Sequence, residues 1–297
     1  MIDGNHLQYR VSRYSHAGED GILMAIISTI YSLDEIRNAV MCEFGAHDGS
    51  NSNLLQLFED LDVRGVFIES DARRFRALEE RFKHMANVRF IHSEVGLNGK
   101  KHLKSILSEH DVDLADVRVI SIDIDGDDAH VFASLTDTLD VLVIEYNPTF
   151  GFDTEFLNPL GKNIGSSPKS LEILAKRKNL YLAALTETNL IFVNQKFIEL
   201  VEPYQLNELL PDKSSLRFGM GYDGTLVVVD GSRGDVTDEV IGIGWSKSFF
   251  VQPLPKTLRK FNRFNKLGMV YSLIILMVVR PNSLVVVIRK AIRSFRS

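Results

Sequence analysis

The sequence predicts an α/β chain built on a doubly wound, mostly parallel sheet, and three observations carry that expectation. Strand-like and helix-like segments alternate from residue 39 to residue 147. The strand segments are apolar runs bounded by turn residues, as strands covered on both faces should be. A helix and then a two-strand hairpin follow the last of them, which gives the sheet an antiparallel end.

The elements follow in order. "AVMCEF" (Ala39–Phe44) is a short apolar run stopped by glycine, a buried strand. "NSNLLQLFEDL" then places Leu54, Leu55, Leu57, Phe58 and Leu61 at helical spacing. "GVFIE" (strand), "RRFRALEERFKHM" (helix), "NVRFIHS" (strand) and "KKHLKSILSEH" (helix) continue the alternation. "VRVISID" (strand), "DAHVFASL" (helix) and "DVLVIEYN" (strand) complete it. "SSPKSLEILAKRKN" opens on serine and proline and closes on basic residues, as a capped helix does. "LYLAALTETNLIFVN" reads as two strands joined through Thr186–Asn189. Five parallel strands, a helix and an antiparallel hairpin fit the seven-stranded class I methyltransferase fold better than a symmetric dinucleotide-binding fold. The expected divisions are an N-terminal segment over the site (1–37), the sheet domain (38–200), a β-rich extension (201–252) and a C-terminal tail (253–297).

Charge separates the body from the tail. The formal net charge is −5, yet Pro253 to Ser297 holds ten Lys or Arg and no acid, which leaves −15 for Met1 to Gln252. Cys42 is the single cysteine, so an intrachain disulfide is excluded and a buried thiol is expected. The opening "MIDGNHLQYRVSRYSHAGEDG" lacks the basic-then-apolar pattern of a secretory signal, so a cytoplasmic protein is expected.

The loop after the first strand, "CEFGAHDGSN", offers Glu43, Gly45, Asp48, Gly49 and Asn51 at a strand–loop–helix junction. In doubly wound sheets ligands sit outside the carboxyl ends of the strands, at the switch point beside the first strand. Gly45 and Gly49 would let the backbone turn tightly and approach a ligand. The spacing is not the G-x-G-x-x-G phosphate cradle, and Glu43 and Asp48 would repel a pyrophosphate. A sulfonium with an ammonium group would instead be attracted, which favours S-adenosylmethionine (SAM) over NAD. Glu69, at the end of the second strand, is placed to accept hydrogen bonds from ribose hydroxyls. Glu94, just past the third strand, could reach the adenine edge.

"DIDGDD" puts four carboxylates within six positions at the end of the fourth strand. Asp123 and Asp125 would share a strand face. Glu145 and Asn147 arrive on the fifth strand, and neighbouring strands lie about 4.8 Å apart. This oxygen set suits Mg²⁺ or another hard divalent cation, which would lower the pKa of a bound substrate hydroxyl. The competing reading is metal-free, with Asp123 on SAM or substrate and Asp125 capping the next helix at Gly126. His130, about one turn into that helix, is a candidate general base, and His47 in the first loop is a second histidine of undecided role.

"YSHAGEDGIL", "CEFGAHDGSNSNLL", "SIDIDGDDAHVF" and "VIEYNPTFG" together resemble the FkbM-like SAM-dependent methyltransferases, from about Tyr14 to Val193. The nearest likeness is to a bacterial branch linked to surface polysaccharide and glycan assembly. That resemblance implies a class I fold, SAM as cofactor and O-methylation of a hydroxyl on a sugar or glycolipid. It assigns Glu43, Gly45, Asp48, Gly49 and Glu69 to the cofactor, with Asp123 bordering it. Asp125, Glu145 and Asn147 would face the acceptor, and Glu19 and Asp20 would belong to a segment folding over the site. The chain departs from that branch at His47 and His130, where small and aromatic residues are more frequent.

In the tail, Leu267 to Val279 is thirteen apolar or weakly polar residues. As helix that is about 20 Å, short of a hydrocarbon core of roughly 30 Å. Extension to Ile288 would bury Arg280, and basic residues flank both ends, so a segment lying in an anionic leaflet is expected. The apolar block argues against nucleic acid. The function expected is a membrane-peripheral SAM-dependent O-methyltransferase, and the alternative is a catalytically silent scaffold of the same fold recruited through the tail.

Overall fold

A computed structural model describes residues 6–148, 150, 152–204, 216–220 and 226–230. Two helices, α1 (Glu19–Ile30) and α2 (Leu33–Asn38), precede the first strand. The sheet domain then runs β1 (Val40–Phe44), α3 (Leu55–Asp60), β2 (Arg64–Glu69), α4 (Ala72–Phe82) and β3 (Val88–His92). It continues with α5 (Leu103–Glu109), β4 (Val117–Ile122), α6 (Asp128–Ser134) and β5 (Val141–Glu145). Helix α7 (Pro168–Lys176) and the hairpin strands β6 (Leu180–Leu185) and β7 (Asn189–Asn194) close it.

The strand order is β3-β2-β1-β4-β5-β7-β6. Strands β1 to β5 pair in parallel, and β7 inserts antiparallel between β5 and β6. Each strand predicted from an apolar run is present, within about a residue of its expected ends. All five residues of β1 are buried, Cys42 included, as are all six of both β6 and β7. Sheets covered on both faces demand such runs, because either face would otherwise put apolar surface in water.

Helix α1 was not singled out by its pattern, because apolar residues occupy most of its circumference. Its Ile22, Leu23, Ile26, Ile27 and Ile30 join the core beside Met41, Val141 and Val193. Glu19 and Asp20, at its first turn, are fully buried and fasten the N-terminal segment. Asp20 Oδ2 accepts the backbone N–H groups of Arg13, Tyr14 and Ser15. Glu19 Oε1 accepts from Thr186 Oγ1 at 2.6 Å and Asn189 Nδ2 at 3.0 Å, and Arg10 pairs with Glu187 through two hydrogen bonds. The segment is thus docked on the β6–β7 turn.

The chain divides into two compact units, Met1–Leu209 and Leu210–Ser297. In the second, β8 (Leu216–Met220) and β9 (Leu226–Asp230) pair antiparallel, where glycine-separated strands were expected. The expected membrane-associating tail, 253–297, lies outside the described residues. Among the described residues no helix is long and apolar enough to cross a membrane.

Candidate functional site

The order of strands reverses between β1 and β4, and their carboxyl ends open onto a cavity of about 420 Å³. Its wall includes Gly45, His47 and Asn51 from the first loop, and Glu69, Ser70 and Arg74 from the end of β2 and the start of α4. Ser93 and Glu94 follow β3, Asp123, Ile124, Asp125 and Asp127 follow β4, and Glu145 and Asn163 complete the wall. Six carboxylates face this hollow against Arg74 and His47.

The acidic stretch divides its labour. Asp128, 4% exposed, turns inward and accepts the N–H groups of Ile124 and Gly126, both at 2.8 Å, so it holds the turn itself. Asp127 accepts from Gly161 N and Asn158 Nδ2. Asp123 and Asp125 are left for the cavity. Strand alternation does not aim them, since β4 ends at Ile122 and Asp125 takes a left-handed conformation, φ 59°. Neither does Asp125 cap the next helix, whose turn Asp128 secures. One carboxylate oxygen each from Asp123, Asp125 and Glu145 nevertheless lies within 4.8 Å of the others. Burial first, then Asp128 and Asp125, push the Asp123 carboxyl up, and burial first, then Asp123, push Glu145 up. Desolvation and like charge both disfavour the ionised form of each carboxyl.

Glu69 is 3% exposed and collects both neighbouring loops. Its Oε2 accepts from His47 N at 2.8 Å and its Oε1 from Asp71 N at 2.7 Å. His47 sits at φ 56°, so the first loop is folded around that carboxylate. Asn51 is exposed on the cavity wall.

Several residues expected at the site face elsewhere. Glu43 lies beneath the cavity floor: it accepts from Ser52 Oγ at 2.6 Å and from the N–H groups of Asn53 and Leu54 at 3.0 Å. Its role in the structure is to close the loop that follows β1. Asp48 is held by Ser50 N and Oγ and is not on the cavity wall. Gly49 is a packing glycine, since a Cβ there would meet Phe82 at 2.4 Å. Glu94, by contrast, does line the cavity, and it pairs there with Lys101 at 2.6 Å. Asn147 donates its Nδ2 to the Ile164 carbonyl at 2.5 Å and is not on the cavity wall. His130 Nε2 lies 2.6 Å from the Asn158 carbonyl, which can only accept, so that nitrogen carries the proton and donates it. A nitrogen so occupied is no general base. The segment before β1 contributes no described residue to the cavity wall.

Sequence reading missed Arg74, Ser70, Ser93, Asn163 and the buried Asn158. Only Asn163 and Asn158 carry a signal, a polar cluster in the long stretch between β5 and α7.

No family model and no curated protein matches the chain. Solved structures do. The N-terminal domain of EvdMO1 with SAH bound is 10% identical, over 64% of this chain and 82% of that one, with a TM-score of 0.39. TrmK of M. capricolum in complex with S-adenosyl-homocysteine (SAH) is 12% identical over 61% and 71%, with a TM-score of 0.34. Precorrin-6y C5,15-methyltransferase from Geobacter metallireducens GS-15 is 11% identical over 62% and 90%, with a TM-score of 0.35. Likenesses at this identity concern the fold. With five parallel strands in order 3-2-1-4-5 and a reversed strand between the fifth and sixth, the chain has the class I SAM-dependent methyltransferase fold.

Proposed function

We propose that the chain is a SAM-dependent O-methyltransferase acting on a hydroxyl of a sugar or glycolipid intermediate. One observation carries the reading: the switch-point cavity of a class I sheet is walled by Glu69, Asp123, Asp125 and Glu145. A hollow of that sign favours a sulfonium and an ammonium and disfavours a pyrophosphate. Glu69 would border the ribose while keeping its two backbone donors, since a carboxylate has about four acceptor sites. SAM, when bound there, would supply an electrophilic methyl group for the acceptor oxygen. The Asp123–Glu145 pair, raised by burial, would take the hydroxyl proton. Holding acceptor and donor in line would supply much of the acceleration.

The acceptor side is mixed in character. The stretch that brings Asn163 to the wall also exposes Leu157, Leu160 and Ile164, which fits an acceptor with an apolar portion, as a glycolipid has. A hard divalent cation fits Asp123, Asp125 and Glu145 by donor type and spacing, and would lower the pKa of a bound hydroxyl.

Calorimetry with SAM, followed by methyl transfer from labelled SAM to a panel of neutral glycans and glycolipids, tests this reading. Binding and transfer are expected. A protein that takes up no SAM is the silent scaffold instead, and transfer that survives a chelator removes the cation. The basic tail is proposed to hold the protein at an anionic leaflet; a chain truncated after Gln252 should no longer sediment with anionic vesicles, and undiminished sedimentation would defeat that part.

A further inference from the structure

Asn158 is 1% exposed, lies far from the sheet in sequence, and uses every polar atom it has. Its Nδ2 donates to Asp127 Oδ1 at 3.1 Å and to the Lys162 carbonyl at 2.7 Å. Its Oδ1 accepts from Ile164 N at 3.2 Å, and its own N–H goes to Ser166 Oγ at 3.0 Å. The Asn158 carbonyl receives His130 Nε2. Asp127 in turn accepts from Gly161 N at 2.9 Å. The turn after β4 and the stretch before α7 are therefore joined through one buried amide. Their backbones also touch, since a Cβ on Gly126 would meet the Lys162 carbonyl at 2.4 Å.

These two segments together supply Asp123, Ile124, Asp125, Asp127 and Asn163 to the cavity wall, and Asn163 lies against the turn, its Cα 3.3 Å from where a Cβ on Gly126 would stand. Asn147 and Ser167 fasten the C-terminal end of the stretch, to Ile164, Ser166 and Phe156, whereas Leu157, Leu160 and Ile164 are exposed and Gly161 and Gly165 have positive φ. Asp125 is itself in a left-handed conformation that a neighbour must maintain.

We propose that Asn158 is a positioning residue, which with Asp127 locks the acid-bearing turn and the 158–166 stretch into one unit and so fixes that part of the cavity wall. The proposal rests on the reading of that cavity as the SAM site. His130 belongs to the same unit: its ring braces the Asn158 carbonyl from α6. Beside Asp127 position 158 needs a donor, because a carboxylate there would face Asp127 and the Lys162 carbonyl, three acceptors with no proton among them.

The test uses the full chain, Asn158→Ala, the nearly isosteric Asp127→Asn, and the reciprocal pair Asp127→Asn with Asn158→Asp. Amide exchange and calorimetric titration with SAH are measured on each. Either single change is expected to speed exchange about ten-fold or more both in the Asp123–Asp128 turn and in residues 160–166, with β2 still protected. The same variants should bind SAH about ten-fold more weakly, the worth of roughly one hydrogen bond. The reciprocal pair restores a donor facing an acceptor, and part of both losses should return. Faster exchange in one segment alone, or unchanged SAH affinity once both segments have loosened, overturns the proposal. A parent protein that binds no SAH sinks the SAM reading and this role with it, and that outcome is told apart by the parent titration alone.

Discussion

Gly45 shows how little freedom the site leaves a single residue. It stands at φ 78°, and a Cβ there would lie 1.5 Å from the Asp123 carbonyl oxygen. Its N–H reaches the Ile68 carbonyl, and Asp123 N reaches the Phe44 carbonyl, so three strand ends meet at this point. The glycine that sequence reading assigned to ligand approach is needed first for the approach of backbone to backbone. Gly45→Ala combines a left-handed alanine with an overlap no rotamer relieves, and should cost about 3 kcal/mol or more. Urea unfolding measures that loss directly, and a variant of parental stability would mean that the β1 and β4 ends separate easily.

At the scale of elements, the capping of α7 anchors the stretch between β5 and that helix. Ser167 is fully buried; its Oγ accepts from Ser170 N and from Phe156 N, at 3.2 and 3.0 Å. Its own N–H goes to the Phe156 carbonyl. Ser167→Ala leaves an uncapped helix and an orphaned N–H in the preceding stretch, a loss of about 1–3 kcal/mol by chemical denaturation. A shift below a few tenths would show that water replaces the hydroxyl. The serine and proline that open this helix were legible in sequence, and so were the seven sheet strands that apolar runs delimit. Strand ends could be placed as well, which is why Glu69, Asp123, Asp125 and Glu145 were found and do converge. The directions of Glu43, Asn147 and His130 were not legible. Each is set by a partner supplied by another loop, Ser52 and Asn53 for the first, Ile164 for the second and Asn158 for the third. Local pattern says where a residue stands along its element, and long-range packing says what it touches.

Across the whole molecule, the buried acids of the sheet's carboxyl edge shift together. Burial, the largest cause, raises Glu43 to about 7 against its three hydrogen-bond donors, and it also raises Asp123, Asp128 and Glu145. A carboxyl that binds its proton more tightly when folded makes stability fall as pH climbs from its unfolded value towards its folded one. For Glu43 that window runs from 4.5 to about 7, with no further change above it. The loss across it is on the order of 2–3 kcal/mol for this group. Two other acids act with the opposite sign. Asp48 and Glu172 are held below the ordinary range by their hydroxyl, N–H and lysine partners, and the stability they contribute disappears only as pH falls through those lowered values. The two sets together place the maximum on the acid side of neutrality, near pH 5 by this reasoning. Urea midpoints without ligand should therefore drop from about pH 5 upwards and go on falling past neutrality, because Glu145 is raised to about 9, and Glu43→Gln, though less stable at pH 5, should flatten the part of that descent below pH 7. A midpoint that rises through neutrality would mean the Glu43 carboxylate is ionised throughout, with Ser52, Asn53 and Leu54 outweighing its burial.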